Sequence, residues 1–325
     1  MVHSANAILT RPVRPLALLA LLVVALTLAG CGGKRAEAAD GADVTTGTLR
    51  IVTTTGQIGD IARNIGGDGV TVESLMGPGV DPHLYVASES DVERLANADM
   101  ILYNGHFLEA QMSDVLEQIG EYKPVIAVTE GIDPARLLPW AKDADEFDPH
   151  IWFDVKLWSI AATAVRDGLV ALDAANAETY NANAERYLAQ LDELDAYVQA
   201  QADTLPEERR ILVTAHDAFS YFGRTYGFTV RGLQGISTAS EAGTSDVREL
   251  AIYIAEHKVP ALFVESSVPV RTIEALQAAV EAQGWQVEIG GSLFSDAMGS
   301  PDTPEGTYDG MVRHNIDTIV AALNR

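Results

Sequence analysis

The sequence predicts an α/β fold of two similar lobes, each a mainly parallel four-stranded sheet flanked by helices, joined by one long connecting helix. Length is the first reason: 325 residues exceed what one core usually supports and divide into lobes of roughly 100 to 150 residues. The second is the alternation of short β-rich runs with helical stretches from residue 49 onward, which marks helices layered on parallel strands. The third is a single long helical period in the middle of the chain.

Taken in order, the first thirty residues differ from all the others. Arg11 and Arg14 are their only charges and precede an apolar run over 16–28, the layout of a secretory signal. A membrane span needs about 20 apolar residues, so this shorter run reads as a signal core and not as a permanent anchor. It ends in Leu28-Ala29-Gly30-Cys31, which resembles the bacterial lipobox; that resemblance implies cleavage before Cys31 and lipid on its sulfur. The alternative is a buried free cysteine after an uncleaved helix. Residues 32–47 are rich in Gly, Ala, Asp and Thr and read as a flexible tether. The expected plan is signal 1–30, tether 31–48, first lobe 49–173, connecting helix 174–204 and second lobe 205–325.

Strands are expected at 49–54, 70–76, 100–103 and 124–128 in the first lobe, and at 211–214, 229–233, 261–264 and 286–289 in the second. The set is four and four, without a repeat of fixed period. Between the lobes Tyr180, Ala184, Tyr187, Leu191, Leu194 and Val198 recur at spacings of three and four, a helical stripe. The 29 residues of 174–202 at about 1.5 Å each reach roughly 43 Å, and Leu205-Pro206 marks the end. One stiff connector restricts the lobes to modest rocking.

Lys and Arg number 22 against 46 Asp and Glu, a formal charge of −24 that becomes −26 once two arginines leave with residues 1–30. A field of that sign repels phosphate backbones, so nucleic acid is excluded as a partner. Most of these carboxylates are solvated surface and say nothing about a specific site. Cys31 is the only cysteine, which rules out an intramolecular disulfide and any Cys-based zinc site. A metal must therefore be held by N and O ligands.

There are seven histidines. His3 leaves with the signal, and His257 and His314 sit on helices among charged or polar neighbours, where a solvated ring is expected. His83 and His150 share a local sequence, Asp81-Pro82-His83 and Asp148-Pro149-His150. Proline stiffens each turn so that a ring is presented with little ordering cost, and each Asp is placed to accept a hydrogen bond from the other ring nitrogen. Two unrelated turns that happen to match are the plain alternative. His216 follows the strand 211–214 at once, and Asp296 comes shortly after the strand ending at 289. Both lie outside the carboxyl ends of strands, where open α/β sheets collect ligands. His106, after another strand, reads as a loop residue near the site at most, and Glu265 either faces the cleft as an acceptor or caps the next helix.

The segments around His83, Asn104-Gly105, His150, His216, Glu265 and Asp296 resemble the metal-specific solute-binding lipoproteins of ABC transporters, solute-binding protein family 9, over essentially the whole chain after the tether. The resemblance implies two α/β lobes joined by a long helix, with a metal between them held by one ligand from each of four loops. By position these are His83 and His150 from the first lobe and His216 and Asp296 from the second. It further implies Zn2+ or Mn2+ as the transported ligand, an ABC permease in the membrane as partner, a monomer, and an anchored location on the outer side of the cell membrane. The third position is His in the family's zinc and mixed zinc/manganese binders and commonly Glu in manganese or iron binders; here it is His216. The Asn-Gly-x-x-Leu-Glu segment is kept, with His106 one place off from where some members carry a His, so His106 stays outside the ligand set.

Three imidazoles and one carboxylate suit tetrahedral zinc, whereas manganese prefers more oxygen. Many zinc-specific members carry a long His-rich loop before the second ligand; 134–148 is acidic and has none before His150, which keeps manganese in play. The rival class is a secreted zinc-dependent hydrolase with Glu265 as its base, which needs an open metal position. No Gly-x-Ser-x-Gly occurs for a serine hydrolase. A surface adhesin is a third reading and rests only on the lipid anchor and on how some relatives have been described.

Overall fold

Four runs rich in Val, Ile and Leu pair in parallel to form the first sheet of the molecule, which a computed structural model describes over residues 48–141 and 146–325. The expected signal, Cys31 and all of the tether before residue 48 lie outside the described residues. The strands β1 (Leu49–Thr53), β2 (Val70–Ser74), β3 (Met100–Tyr103) and β4 (Val125–Ala127) stand in the order β2-β1-β3-β4. Ile51 is in register with both Val72 and Met100. Crossovers run through α1 (Gly56–Gly66), α2 (Glu89–Asn97) and α3 (Ser113–Gly120). Ser88 starts α2 with a reciprocal capping box to Asp91, which satisfies amide groups that a helix start leaves bare.

After a long loop, α4 (Val155–Leu172) begins at Asp154, whose carboxylate accepts from the Leu157 amide at 3.1 Å. The connector α5 (Ala177–Ala202) follows, 26 residues or about 39 Å long. It starts at 177 and not 174, because 174–176 form a separate 3-10 turn. All six residues of the expected stripe, Tyr180 to Val198, are buried. They pack against α1, α4 and α9 (Tyr308–Leu323). Burying one such Leu is worth about 1.5–3 kcal/mol, so the stripe and not intrinsic propensity holds this helix.

The second half runs β5 (Ile211–His216), α6 (Ser220–Tyr226), β6 (Thr229–Gln234), α7 (Thr244–His257), β7 (Ala261–Glu265), α8 (Arg271–Ala282) and β8 (Glu288–Leu293). One four-stranded sheet is expected here; the strands instead form two parallel pairs, β5-β6 and β7-β8. β5 and β7 lie beside one another. At their ends a side chain takes the place of a strand carbonyl, the Glu265 carboxylate accepting the His216 amide at 2.9 Å. β8 also extends past the expected 286–289. Gly290-Gly291, just past the expected strand, is a close-packing device: a Cβ on Gly290 would lie 2.7 Å from that of Ala322. Gly291 takes φ +152° next to the unpaired Gly290, where the β7–β8 register shifts across from Leu262/Phe263, the usual meaning of glycine inside a strand.

One apolar cluster runs through Ile51, Leu102, Trp158, Leu194, Phe219, Phe263 and Ile319, joining both halves through α5. Smaller clusters lie beneath α7 and α8 and beneath α2 and α3. Residues Gly47–Arg325 form one compact unit. Among the described residues no helix is long and apolar enough to cross a membrane. The carboxyl ends of β2, β3, β5, β7 and β8 deliver the segments that carry His83, Asn104, His216, Glu265 and Asp296.

Candidate metal centre

The two Asp-Pro-His tripeptides fold as the same turn. Asp81 Oδ1 accepts the His83 amide at 2.9 Å, and Asp148 Oδ1 accepts the His150 amide at 2.9 Å, the self-closing turn that Asp favours. Their rings are held differently. Asp148 Oδ1 also accepts from His150 Nδ1 at 2.7 Å, as expected, which fixes that ring's tautomer and turns Nε2 to the site. Asp81 departs from the expectation. It holds only the main chain of His83, and its second oxygen accepts from the Thr238 hydroxyl at 2.6 Å.

His216 is the last residue of β5. Glu265 accepts from its amide at 2.9 Å and from its Nδ1 at 2.6 Å. Glu265 is thus neither a helix cap nor a base free to serve a substrate. It orients a ring.

These turns bring His83, His150, His216 and Asp296 together, one N or O atom of each within 4.8 Å of the others. His150 Nε2 lies 3.3 Å from His83 Nε2 and 3.4 Å from Asp296 Oδ1. Asp296 Oδ2 is 3.2 Å from His216 Nε2 and 3.9 Å from His83 Nε2. A tetrahedral shell with bonds of about 2.0–2.1 Å spaces its donor atoms about 3.3 Å apart. All four residues are buried, none more than 3% exposed.

His216 Nε2 and both oxygens of Asp296 are buried without a hydrogen-bond partner among the described residues. In the metal-free protein the protons that can reach the Asp296 oxygens are those on His216 and His150 Nε2, 3.2 and 3.4 Å away. Three such buried atoms at one point is the arrangement a cation relieves.

The electrostatics agree. Burial holds His83 down to about 3, so it is neutral. Burial also works against charge on His150, but Asp148 and then Asp296 outweigh it and raise the ring to about 9. Asp296 and Glu265 likewise overcome burial and lift His216 well above the usual imidazole range. Burial opposes ionisation of Asp296, yet His216 and His150 hold it well below the usual carboxylate range.

Residues that sequence reasoning did not single out brace the ligand loops. Gln57, in the first turn of α1, donates to the Asp296 carbonyl at 3.1 Å, and the Trp152 indole donates to the Ser295 carbonyl at 3.1 Å. Tyr221 donates to the Asp148 carbonyl at 3.0 Å. Within the Asn-Gly segment, the Asn104 side chain donates to the Pro149 carbonyl at 2.9 Å, and buried Glu109 accepts from the Asn104 amide at 2.8 Å. The segment is therefore a strut for the His150 loop. For Gln57 the sequence signal is position alone, since it follows the carboxyl end of β1, whereas Asn104 and Glu109 belong to the Asn-Gly-x-x-Leu-Glu segment noted above.

The remaining histidines stand apart from the four. His106 takes φ +50° and packs edge-on against Phe147, 5.6 Å between ring centres. His257 is exposed and stacks on Tyr253. His314 is not the solvated residue expected: half-buried, it donates to the Ser292 carbonyl at 3.0 Å and sits 3.4 Å from Glu305. The reason is that α9 packs on β8.

Comparison with known proteins places this geometry. Residues 51–322 match the family model described as "ZnuA: Zinc-uptake complex component A periplasmic". The chain is 53% identical over 293 residues to the zinc-binding protein TroA of Treponema pallidum (strain Nichols), covering 90% of this chain and 92% of that one. It is 47% identical over 296 residues to the manganese-binding lipoprotein MntA of Bacillus subtilis (strain 168), covering 91% and 95%. The solved structure of the periplasmic zinc binding protein TroA from Treponema pallidum superposes with a TM-score of 0.84 at 54% identity, over 86% of this chain and 100% of that one. With the match running through all four ligand loops and both sheet systems, the chain belongs to the ZnuA family, the periplasmic component A of zinc-uptake complexes.

Proposed function

We propose that this protein captures a divalent transition metal, zinc or manganese, on His83, His150, His216 and Asp296 between lobes 49–173 and 205–325, with 174–204 as connector, and delivers it to an ABC importer. Family membership makes it an extracytoplasmic transport component with a membrane permease as partner, and not an enzyme. The observation that carries the reading is the convergence of three unpartnered buried atoms, His216 Nε2 and both Asp296 oxygens, at the meeting of four separate loops. Three imidazoles and a carboxylate are a closed N/O shell suited to zinc, while relatives named for zinc and for manganese keep both metals as cargo. The engagement of both Glu265 oxygens by His216 removes the base that the hydrolase reading requires, and nothing in the relatives' names supports an adhesin.

Metal content of protein purified without added metal, with zinc–manganese competition, tests the reading. His257→Ala and His314→Ala are expected to bind as the parent does, and His83→Ala to lose the metal. Equal content in all three variants would sink the ligand assignment. Glu265→Gln leaves the His216 ring less firmly oriented and is expected to lower affinity by about 10- to 100-fold; an unchanged titration would show that Glu265 does not tune the site.

The lipid anchor is part of the same proposal. The Leu28-Ala29-Gly30-Cys31 run and relatives named as lipoproteins support a chain tethered through Cys31. In Cys31→Ser the protein is expected to move from the membrane to the soluble fraction on cell fractionation. Retention on the membrane would refute the anchor.

A further inference from the structure

We infer that Thr238 is a positioning residue for cargo release: through Asp81 it fastens the first ligand loop to the opposite half of the molecule and so sets how fast His83 lets go of a bound cation. The inference rests on the metal-binding reading above.

Residues 235–243 connect β6 to α7, with Gly235 and Gly243 at the ends. Thr238 is the one buried residue in this stretch; its neighbours are exposed or half-buried. Its hydroxyl donates to Asp81 Oδ2 at 2.6 Å across 157 residues of sequence. The other oxygen of the same carboxylate accepts the His83 amide at 2.9 Å. The two hydrogen bonds stand in series, from the 235–243 loop to Asp81 and from Asp81 to the backbone of a metal ligand. Both end on a carboxylate, which makes them stronger than neutral ones.

His83 is the ligand for which this matters. The rings of His150 and His216 are each held by a carboxylate on Nδ1. Asp81 holds the backbone of His83 and leaves its ring alone. The next residue, Leu84, is 53% exposed, so the loop faces solvent on its outer side. If the two halves part at the metal, His83 leaves with the Asp81 loop, and the Thr238–Asp81 bond is a tie that holds that loop to the second half. A partner that lifts the 235–243 loop removes that tie without touching the other three ligands.

Stopped-flow release of Zn2+ from the full-length protein into excess chelator tests this. Thr238→Val keeps the shape and removes the donor; release is expected to accelerate about tenfold, equivalent to about 1.4 kcal/mol. Thr238→Ser restores the hydroxyl and is expected to release within about twofold of the parent. Asp81→Ala and the Asp81→Ala/Thr238→Val double variant are expected to release at the same rate, since the two residues act in one chain of contacts. Release from the Val variant at the parental rate, a Ser variant as fast as Val, or additive effects in the double variant overturns the inference while leaving metal binding intact. A parent protein that holds neither zinc nor manganese overturns the functional reading, and this inference with it.

Discussion

Asp296→Ala is expected to weaken zinc binding by between about a hundredfold and a few thousandfold. The carboxylate is buried, none of the site's other side chains replaces its charge, and both of its oxygens lack a hydrogen-bond partner among the described residues. Its lowered pKa, caused by His216 and His150 against the pull of burial, keeps it ionised at any pH at which the protein works. Removing one member of a buried charge pair costs about 3–5 kcal/mol, and each 1.4 kcal/mol is about tenfold in affinity. The variant has a second signature. Without Asp296 the raised pKa values of His150 and His216 lose a shared cause, so their protons are held less tightly before metal arrives. Calorimetric titration reads both effects. A variant with parental affinity would remove Asp296 from the ligand set.

Much of this site is legible in the sequence because it is built from local turns. The repeated Asp-Pro-His tripeptide encodes its own closure: in both copies the Asp accepts the amide two residues on, an interaction that needs nothing from the rest of the fold. His216 and Asp296 are legible for a different reason, since the ends of parallel strands are where an α/β sheet leaves groups free. What each Asp does with its second contact is not local. Asp148 meets the ring of its own histidine, while Asp81 meets Thr238 from 157 residues away, and no spacing in the chain distinguishes them. The connector is readable from its stripe because one face buries along its whole length. The pairing of the second set of strands is not, because it depends on Glu265 replacing a backbone acceptor and on Gly290-Gly291 closing onto α9 and β7. Sequence periodicity records which face is buried and is silent about which strand edge meets which.

Metal binding near neutral pH is expected to release close to two protons per cation, so that affinity rises about a hundredfold for each pH unit between pH 6.5 and 9. The histidine content alone would place the loss of metal at about pH 6.5, the ordinary imidazole value. The folded site moves it upward. Metal coordinates only a deprotonated nitrogen, and at pH 7 both His150, raised to about 9, and His216, raised further above the usual range, carry protons. His83, lowered to about 3 by burial, has none to give. Exchange of two protons for one divalent cation leaves the charge of the buried site unchanged, which avoids the cost of adding net charge in a place without water. The same shifts fix the stability of the metal-free protein. A histidine raised on folding contributes stability that is complete below about 6.5 and fades as the pH rises through 9, while the lowered Asp296 contributes above the ordinary carboxylate value near 4 and fades as the pH falls through its folded value. His83, lowered to about 3, acts the other way and costs stability as the pH falls below about 6.5, so these site groups together are expected to make the metal-free protein most resistant to unfolding at about pH 6.5, and the loaded protein at higher pH. Titration in buffers of different ionisation enthalpy counts the protons directly. Fewer than one proton per zinc at pH 7 would mean that the metal-free rings are already neutral and that the carboxylates around them do not hold the site in a protonated, resting form.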